Sequence, residues 1–262
     1  MLGAIVGDFV GSVHEFAGTK RKDFPLVNRG SKITDDSLLT IAVAEWLLHG
    51  VDLVERFHAL VAAHPDVGWG IGFREWALAG RRTPYNSFGN GAAMRVSPVG
   101  WAFASLDETL AAAAQSAAVT HDHAEGIRGA QATATAVYLA RTTRDKATIK
   151  REIAGRFHYD LERTITSIRP TYRFNETCQD TVPEAIIAFL DGADFEDTIR
   201  NAVSLGGDAD TLACIAGGIA HAYYGGVPRE LGDAAIRSLP DDLRTVWEEF
   251  RQRYGVPTGA ND

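Results

Sequence analysis

The sequence predicts an all-α protein. Small and apolar residues recur at helical spacing in most segments, and this periodicity is typical of helices that bury one face. Alternating β-branched runs bounded by hairpin turns are hard to find. The predicted helices are too numerous for a simple four-helix bundle, and they cover 1–15, 36–49, 52–63, 67–79, 90–104, 107–118, 122–141, 145–155, 181–190, 194–204, 209–224, 229–237 and 241–253.

The first predicted helix carries three glycines on one side. Gly3, Gly7 and Gly11 are spaced at i, i+4 and i+8, which places them on one stripe of the helix. This stripe has no side chains, so a second helix can approach it closely.

The second predicted helix begins with acids. In "SKITDDSLLTIAVAEWLL" Thr34, Asp35 and Asp36 occupy the N-cap and first-turn positions of an apolar helix. Hydroxyl and carboxylate groups there accept hydrogen bonds from free N–H groups and complement the helix dipole. Capping is therefore a sufficient explanation for this cluster taken alone.

The middle of the chain combines alanine-rich helices with one irregular segment. Runs of alanine at 111–114 and at alternate positions from 130 to 136 favour closely packed helices. His158 to Asp180 is the least periodic stretch and is predicted to be a loop over one surface. Its aromatic residues Tyr172 and Phe174 either face a ligand or anchor the loop to the core.

The helix predicted at 209–224 begins with a second acidic cluster, Asp208-x-Asp210-Thr211. The two clusters together are too acidic for capping alone. If the two helix starts meet in space, their charge requires cations, and carboxylate and hydroxyl oxygens suit hard ions such as Mg²⁺, Mn²⁺ or Ca²⁺. The pattern predicts a two-metal centre that exists only in the folded chain.

Two further segments have the features of ligand-binding turns. In "PYNSFGNGAAMRV" glycines flank Asn90 ahead of a small-residue helix, so the backbone of 87–92 is a candidate cradle for a diphosphate. In "VTHDHAEG" His121 and His123 precede another helix. A histidine at such a position is either a cap or a donor to a phosphate or ribose oxygen.

Composition limits the class of protein. The formal net charge of −8 argues against an extended nucleic-acid surface. The N-terminus lacks a basic region, and the run from Thr211 to Tyr224 is too short to span a bilayer. Two cysteines without a paired motif make a disulfide framework or cysteine zinc site unexpected. We expect a cytoplasmic monomer whose 262 residues form a single domain.

The two acidic helix starts and the two ligand-binding turns, together with "GAIVGDFVGSVHEF" at the start of the chain, resemble the ADP-ribosylglycohydrolase family of the dinitrogenase reductase-activating type. "TDDS", "GNGAAMR", "THDHAEG" and "GGDADT" occur in the family's order. The resemblance implies a compact, single-domain orthogonal multi-helix bundle. It also implies an enzyme that holds two Mg²⁺ or Mn²⁺ ions and releases ADP-ribose from an ADP-ribosylated protein or a small ADP-ribosyl conjugate.

The resemblance also implies the roles of individual residues. Glu15 and Asp36 are the candidates for proton transfer, and Glu15 is placed in a mobile acidic loop. The implied metal ligands are Thr34, Asp35, Asp36, Asp208, Asp210 and Thr211. The implied substrate-binding residues are Ser87, Phe88, Gly89, Asn90, Gly91 and His121.

Three positions depart from the family's usual motifs. Ser37 replaces a threonine, Ala92 a glycine and Ala124 a proline. None of them removes an implied ligand. Ala92 narrows the approach to the diphosphate cradle, and Ala124 leaves its turn less rigid.

Three other classes of protein fit part of the pattern. An HD-type phosphohydrolase would use His121-Asp122 but leaves both aspartate clusters unexplained. A prenyl diphosphate synthase requires DDxxD, and Leu39 stands at the last position. A catalytically silent module that binds ADP-ribose is the third alternative. The acceptor, the native metal, the acid/base and the oligomeric state are not determined by the sequence.

Overall fold

The computed structural model describes residues 1–259. The regular secondary structure of this part of the chain consists of helices and two isolated bridge pairs, Gly89 with Thr177 and Val227 with Gly259. The helices are α1 (Leu2–Gly11), α2 (Asp35–His49), α3 (Leu53–Ala63), α4 (Ile71–Leu78), α5 (Gly91–Met94), α6 (Val99–Ala102), α7 (Leu106–Ala118), α8 (Ala124–Thr143), α9 (Lys146–Phe157), α10 (Ile165–Ile168), α11 (Cys178–Asp191), α12 (Phe195–Val203), α13 (Ala209–Tyr224), α14 (Arg229–Arg237) and α15 (Asp241–Tyr254). The all-α prediction is confirmed.

Helices α1 and α13 lie against each other at the centre of the core, and every residue of α1 is buried. The glycine stripe forms their contact. A Cβ atom on Gly7 would lie 2.0 Å from the Ala213 carbonyl oxygen, and one on Gly3 would lie 2.2 Å from that of Gly217. Only glycine fits at this separation, as the sequence predicts.

Helices α8, α11 and α12 surround α13, and α2 packs between α1 and α15. The C-terminal segment returns to the N-terminal part of the core. Tyr254 donates its hydroxyl to the Leu47 carbonyl at 3.1 Å, and a ring nitrogen of His221 lies 2.8 Å from the Pro257 carbonyl oxygen.

Several predicted boundaries are wrong. Helix α1 ends at Gly11, and the chain then forms turns through Ala17. The predicted helix at 90–104 is two short helices, α5 and α6, with Pro98 at the N-cap of the second. Proline has no N–H to continue the helix that precedes it.

The irregular segment between α9 and α11 contains one helix that the periodicity did not predict. Helix α10 is a single turn closed by a capping box between Thr164 and Ser167. Tyr172 is buried and donates its hydroxyl to the Asp180 carbonyl at 3.0 Å. It anchors the loop rather than facing a ligand.

Within residues 1–259, none of the helices has the length and apolar character needed to cross a bilayer. This agrees with the expectation for the run that begins at Thr211, which forms the buried centre of α13.

Candidate active site

The starts of α2 and α13 meet at the base of a cleft. Thr211 donates its hydroxyl to Asp36 Oδ2 at 3.3 Å, although the two residues are 175 positions apart in the chain. One oxygen each from Asp8, Asp36 and Asp210 lies within 4.8 Å of the other two. The structure thus brings together the two acidic clusters that the sequence singled out.

A second acidic group adjoins the first. Oxygens of Glu15, Asp208 and Asp210 also lie within 4.8 Å of one another. Asp210 belongs to both groups. Asn90 donates its side-chain amide to Asp208 Oδ2 at 2.7 Å, and this contact fixes the orientation of that carboxylate.

Asp8 is a site residue that the sequence analysis missed. It lies on α1 and is fully buried. Its carboxylate accepts the Thr34 N–H at 2.9 Å, the Thr34 hydroxyl at 2.8 Å and the Ser37 N–H at 3.1 Å, and it also accepts the Ser37 hydroxyl. Asp8 therefore holds the start of α2 from a neighbouring helix. An acid inside an otherwise apolar glycine helix was the available signal.

The site concentrates negative charge away from water. Loss of hydration and the neighbouring carboxylates raise the pKa of Asp35, Asp36 and Asp210 well above the usual range. Burial, opposed by hydrogen bonds from Ser37 and Thr34, raises the pKa of Asp8 to about 6. Such a group is stable when its members are protonated or when cations neutralise them.

The donor set fits a hard divalent cation. Among residues 1–259 the buried atom Asp36 Oδ1 has no hydrogen-bond partner, so one carboxylate oxygen is available at the centre of the cluster. The surrounding donors are carboxylates and threonine hydroxyls, which are the oxygen ligands that Mg²⁺, Mn²⁺ and Ca²⁺ prefer.

Glu15 occupies a different environment. It follows α1 in the turns at the mouth of the cleft and is only half-buried. Burial, followed by the charge of Asp208, raises its pKa to about 7. At neutral pH it can therefore either donate or accept a proton.

The cleft has a volume of about 320 Å³ and is lined on one side by the acidic group. Eleven of the thirteen residues implied by the resemblance line it, namely Glu15, Asp35, Asp36, Ser87, Gly89, Asn90, Gly91, His121, Asp208, Asp210 and Thr211. Two do not. Thr34 is buried against Asp8, and Phe88 lies outside, exposed and 5.3 Å from the ring of His123.

The proposed diphosphate cradle is only partly open. The Gly89 N–H donates to Ser87 Oγ at 3.2 Å, and the Asn90 N–H donates to the Glu176 carbonyl at 2.7 Å. These contacts and the Gly89–Thr177 bridge fix the turn against the segment before α11. Some of the backbone N–H groups that were expected to bind an anion thus donate hydrogen bonds that stabilise the turn itself.

The cleft is also lined by a segment that the sequence analysis did not identify. Gly68, Gly70 and Gly72 line the cleft beside Tyr85. Their alternation in "VGWGIGF" was the available signal. Glu176 also lines the cleft, and partial burial and the charge of Asp208 raise its pKa.

Two exposed aromatic side chains lie beside the acidic end of the cleft. Phe16, which follows Glu15, is 86% exposed, and Phe174 is 44% exposed. Their rings stack with centroids 6.1 Å apart. Exposed large apolar groups of this kind are typical of contact surfaces.

Comparison with known proteins gives concordant results. A sequence model described as ADP-ribosylglycohydrolase matches residues 1–254. The ADP-ribosylhydrolase ARH3 of Homo sapiens is 28% identical, with 86% of this chain and 84% of that protein covered. The ADP-ribosylarginine hydrolase Tri1 of Pseudomonas putida is 26% identical, with 88% and 71% covered.

A solved structure, titled "ADP-ribosylglycohydrolase-related protein complex", superposes with a TM-score of 0.71. The match covers 96% of each chain at 24% sequence identity. This similarity supports the fold described above.

Proposed function

The chain belongs to the ADP-ribosylglycohydrolase family and is an enzyme that hydrolyses ADP-ribose linkages, and we propose that it cleaves the bond at the anomeric carbon of the distal ribose. The substrates are ADP-ribosylated proteins or small ADP-ribosyl conjugates, and the product is ADP-ribose. The observation that carries the proposal is the pair of acidic groups that share Asp210 at the base of the cleft.

We propose that two divalent cations, Mg²⁺ or Mn²⁺, bind where these two groups meet. The residues that would hold them are Thr34, Asp35, Asp36, Asp208, Asp210 and Thr211. When bound, such ions supply Lewis-acid polarisation of ribose hydroxyls and of water. The oxygens of Asp8 already accept four hydrogen bonds from Thr34 and Ser37. We therefore assign Asp8 the role of positioning Thr34.

Glu15 is the better candidate for proton transfer than Asp36. Asp36 is almost completely buried and accepts the Thr211 hydroxyl at 3.3 Å. Glu15 is half-buried at the mouth, and its pKa of about 7 suits a group that takes a proton from water or gives one to the leaving group. Carboxylates near the sugar also stabilise the positive charge that develops on its ring.

The uncharged part of the cleft would hold the rest of ADP-ribose. Ser87, Gly89, Asn90 and Gly91 lie on one wall and His121 adjoins them. Phe88, exposed outside the cleft lining, is placed to contact a group that extends beyond it. The contacts between Tyr254 and Leu47 and between His221 and Pro257 support our proposal that the whole chain acts as one domain.

A panel of ADP-ribosyl conjugates tests this function. Serine, arginine, nucleobase and O-acetyl conjugates would be incubated with the protein and about 1 mM Mg²⁺ or Mn²⁺, a concentration expected to saturate a typical metal site. The free ADP-ribose would then be measured. We expect metal-dependent release from at least one conjugate. Asp210→Ala should abolish it, because this residue belongs to both acidic groups, whereas Asp66→Asn changes an exposed acid and should leave it intact.

The alternative is a silent module that binds ADP-ribose. The position of Glu15 favours the enzyme, because its half-buried carboxyl lies beside the cluster at the mouth of the cleft and binding alone needs no proton donor there. Binding of ADP-ribose without release from any conjugate would favour the module and count against the proposed hydrolysis.

A further inference from the structure

A buried arginine lies next to His121 in the lining of the cleft. Arg95 has no exposed surface, and its guanidinium packs 4.8 Å from the centre of the Phe57 ring. Its Nη2 donates to the Ser116 carbonyl at 2.8 Å and to Thr120 Oγ1 at 3.0 Å. In the described part of the chain no carboxylate forms an ion pair with it. A fully buried cation that donates to a hydroxyl is therefore built into the wall.

The Thr120 hydroxyl connects this cation to the imidazole. Thr120 Oγ1 lies 2.7 Å from His121 Nδ1. A guanidinium can only donate, so the oxygen accepts from Arg95, and its single proton remains free to donate elsewhere. The imidazole is the one other hydrogen-bond partner of this hydroxyl within residues 1–259.

Accounting for these hydrogen bonds selects one tautomer. If Nδ1 carried the proton, the threonine hydroxyl would accept twice and its own buried proton would lack an acceptor, which is unfavourable away from water. If the hydroxyl donates to Nδ1, both the hydroxyl proton and the Nδ1 lone pair have a partner, and the two Arg95 nitrogens Nε and Nη1 lack one within residues 1–259 in either case. The imidazole proton then resides on Nε2.

Nε2 faces the cleft. A Cβ atom on Gly91 would lie 3.3 Å from it, and one on Gly89 would lie 3.6 Å away. Within residues 1–259 Nε2 has no hydrogen-bond partner in the protein, and it borders the two glycines that line the cleft. Its proton is therefore available to a ligand.

We propose that Arg95 and Thr120 form a relay that locks His121 as a neutral imidazole protonated at Nε2, so that the cleft contains a fixed, uncharged donor for an oxygen atom of the bound conjugate. Arg95 and Thr120 are positioning residues, because they act through His121. The identity of this oxygen, as part of the diphosphate or of a ribose hydroxyl, rests on the proposed function. The tautomer of His121 does not depend on that function.

The electrostatic surroundings agree with this arrangement. Burial and the nearby Arg95 charge lower the pKa of His121 well below its usual range. The imidazolium form is thus disfavoured at neutral pH, and the hydroxyl contact is needed to choose between the two neutral forms.

The test measures the tautomer directly. Long-range ¹H–¹⁵N correlation spectra of ¹⁵N-histidine-labelled protein distinguish a protonated from an unprotonated ring nitrogen, and a His121→Gln variant identifies the signals. We expect Nε2 protonated and Nδ1 unprotonated at pH 7 in the metal-free protein. A spectrum with the proton on Nδ1, or with both nitrogens protonated, would overturn the proposal without any variant.

Two substitutions test the relay. Thr120→Val keeps the shape and removes the hydroxyl, so the Nε2 preference should be lost and the Kd for ADP-ribose should rise about tenfold, the value of one hydrogen bond. Thr120→Ser restores the hydroxyl and should restore both the Nε2 tautomer and the wild-type Kd for ADP-ribose. The matched control is Thr135→Val, because the Thr135 hydroxyl is buried and has no partner in the described part of the chain. This substitution should change neither the tautomer nor the Kd.

The outcomes separate this proposal from the proposed function. If the tautomer changes in Thr120→Val but ADP-ribose binds no variant, the relay stands and the assigned ligand is wrong. If ADP-ribose binds all variants equally and the tautomer is unchanged in Thr120→Val, the relay is wrong. Should Thr120→Val fail to fold, the wild-type spectrum and Thr120→Ser still decide the question.

Discussion

Removal of divalent metal should invert the pH dependence of stability. Without metal, groups whose folded pKa is raised stabilise the protein fully below their ordinary pKa, and this contribution is lost as pH rises through the folded value. Glu15, with a pKa of about 7, and Asp8, with a pKa of about 6, are such groups. The metal-free protein should therefore lose stability between pH 5 and pH 8.

The size of the loss follows from the pKa values. Raising the pKa of Asp8 from 3.8 to about 6 implies a loss of about 1.4 kcal/mol between pH 5 and pH 8. Glu15 is half-exposed, and screening reduces its share to roughly 1 kcal/mol. For a chain of 262 residues, 1 kcal/mol corresponds to about 2 °C in Tm, so the fall is about 5 °C. The raised pKa values of Asp36 and Asp210 increase this loss of stability further.

Metal has the opposite effect because it requires ionised ligands. At a concentration a thousand times its Kd, Mn²⁺ stabilises the protein by about 4 kcal/mol, or roughly 8 °C in Tm. Protons compete at low pH, because the pKa values of the proposed ligands Asp35, Asp36 and Asp210 are raised well above the usual range in the metal-free protein. The rise in Tm caused by Mn²⁺ should thus grow from pH 5 to pH 8.

Differential scanning fluorimetry with EDTA or Mn²⁺ at several pH values measures both effects. Asp36→Asn removes one buried carboxyl and should flatten the metal-free pH profile and reduce the metal-induced rise. Asp66→Asn, at an exposed position, is the matched control. An Mn²⁺-induced rise that is equal at pH 5 and pH 8, or a metal-free protein that gains stability over this range, would refute the reasoning.

Three further changes test other parts of the site. Glu15→Gln should lower kcat about a hundredfold while the Mn²⁺-induced rise in Tm persists, and a full-rate variant would remove its role in proton transfer. Phe16→Ala should raise KM for ADP-ribosylated proteins but not for small conjugates, since the exposed Phe16–Phe174 pair flanks the cleft; equal effects on both would exclude an acceptor contact. Gly7→Ala should lower Tm by about 6 °C, because a Cβ would lie 2.0 Å from the Ala213 carbonyl oxygen and overpacking costs roughly 3 kcal/mol.

The sequence was most informative where the chemistry requires an unusual residue. Acids at the starts of two buried helices predicted that Asp36 and Asp210 would meet, and the structure places them in one cluster. Helix boundaries were less predictable, because Pro98 divides one periodic segment. Periodicity records which residues are apolar, whereas a helix end depends on local hydrogen bonds.

The sequence was least informative where a residue acts through its neighbours. Asp8 lies among apolar residues of α1, so only the folded chain reveals that it accepts hydrogen bonds from Thr34 and Ser37. Arg95 was visible in "GNGAAMR", but its connection to His121 depends on Thr120, which belongs to a different turn. Such three-residue arrangements have no periodic signature.

The glycine stripe and the acidic cluster are parts of one arrangement. A Cβ atom on Gly11 would lie 2.4 Å from the Asp210 Cα, so the missing side chain allows the start of α13 to lie directly against the end of α1. Asp8, one turn earlier on α1, then falls within 4.8 Å of Asp36 and Asp210. Close helix packing, usually considered a feature of stability alone, here determines the distances between the carboxylates. Because packed helices resist deformation, the acids remain close together despite their repulsion, as the proposed cation site requires.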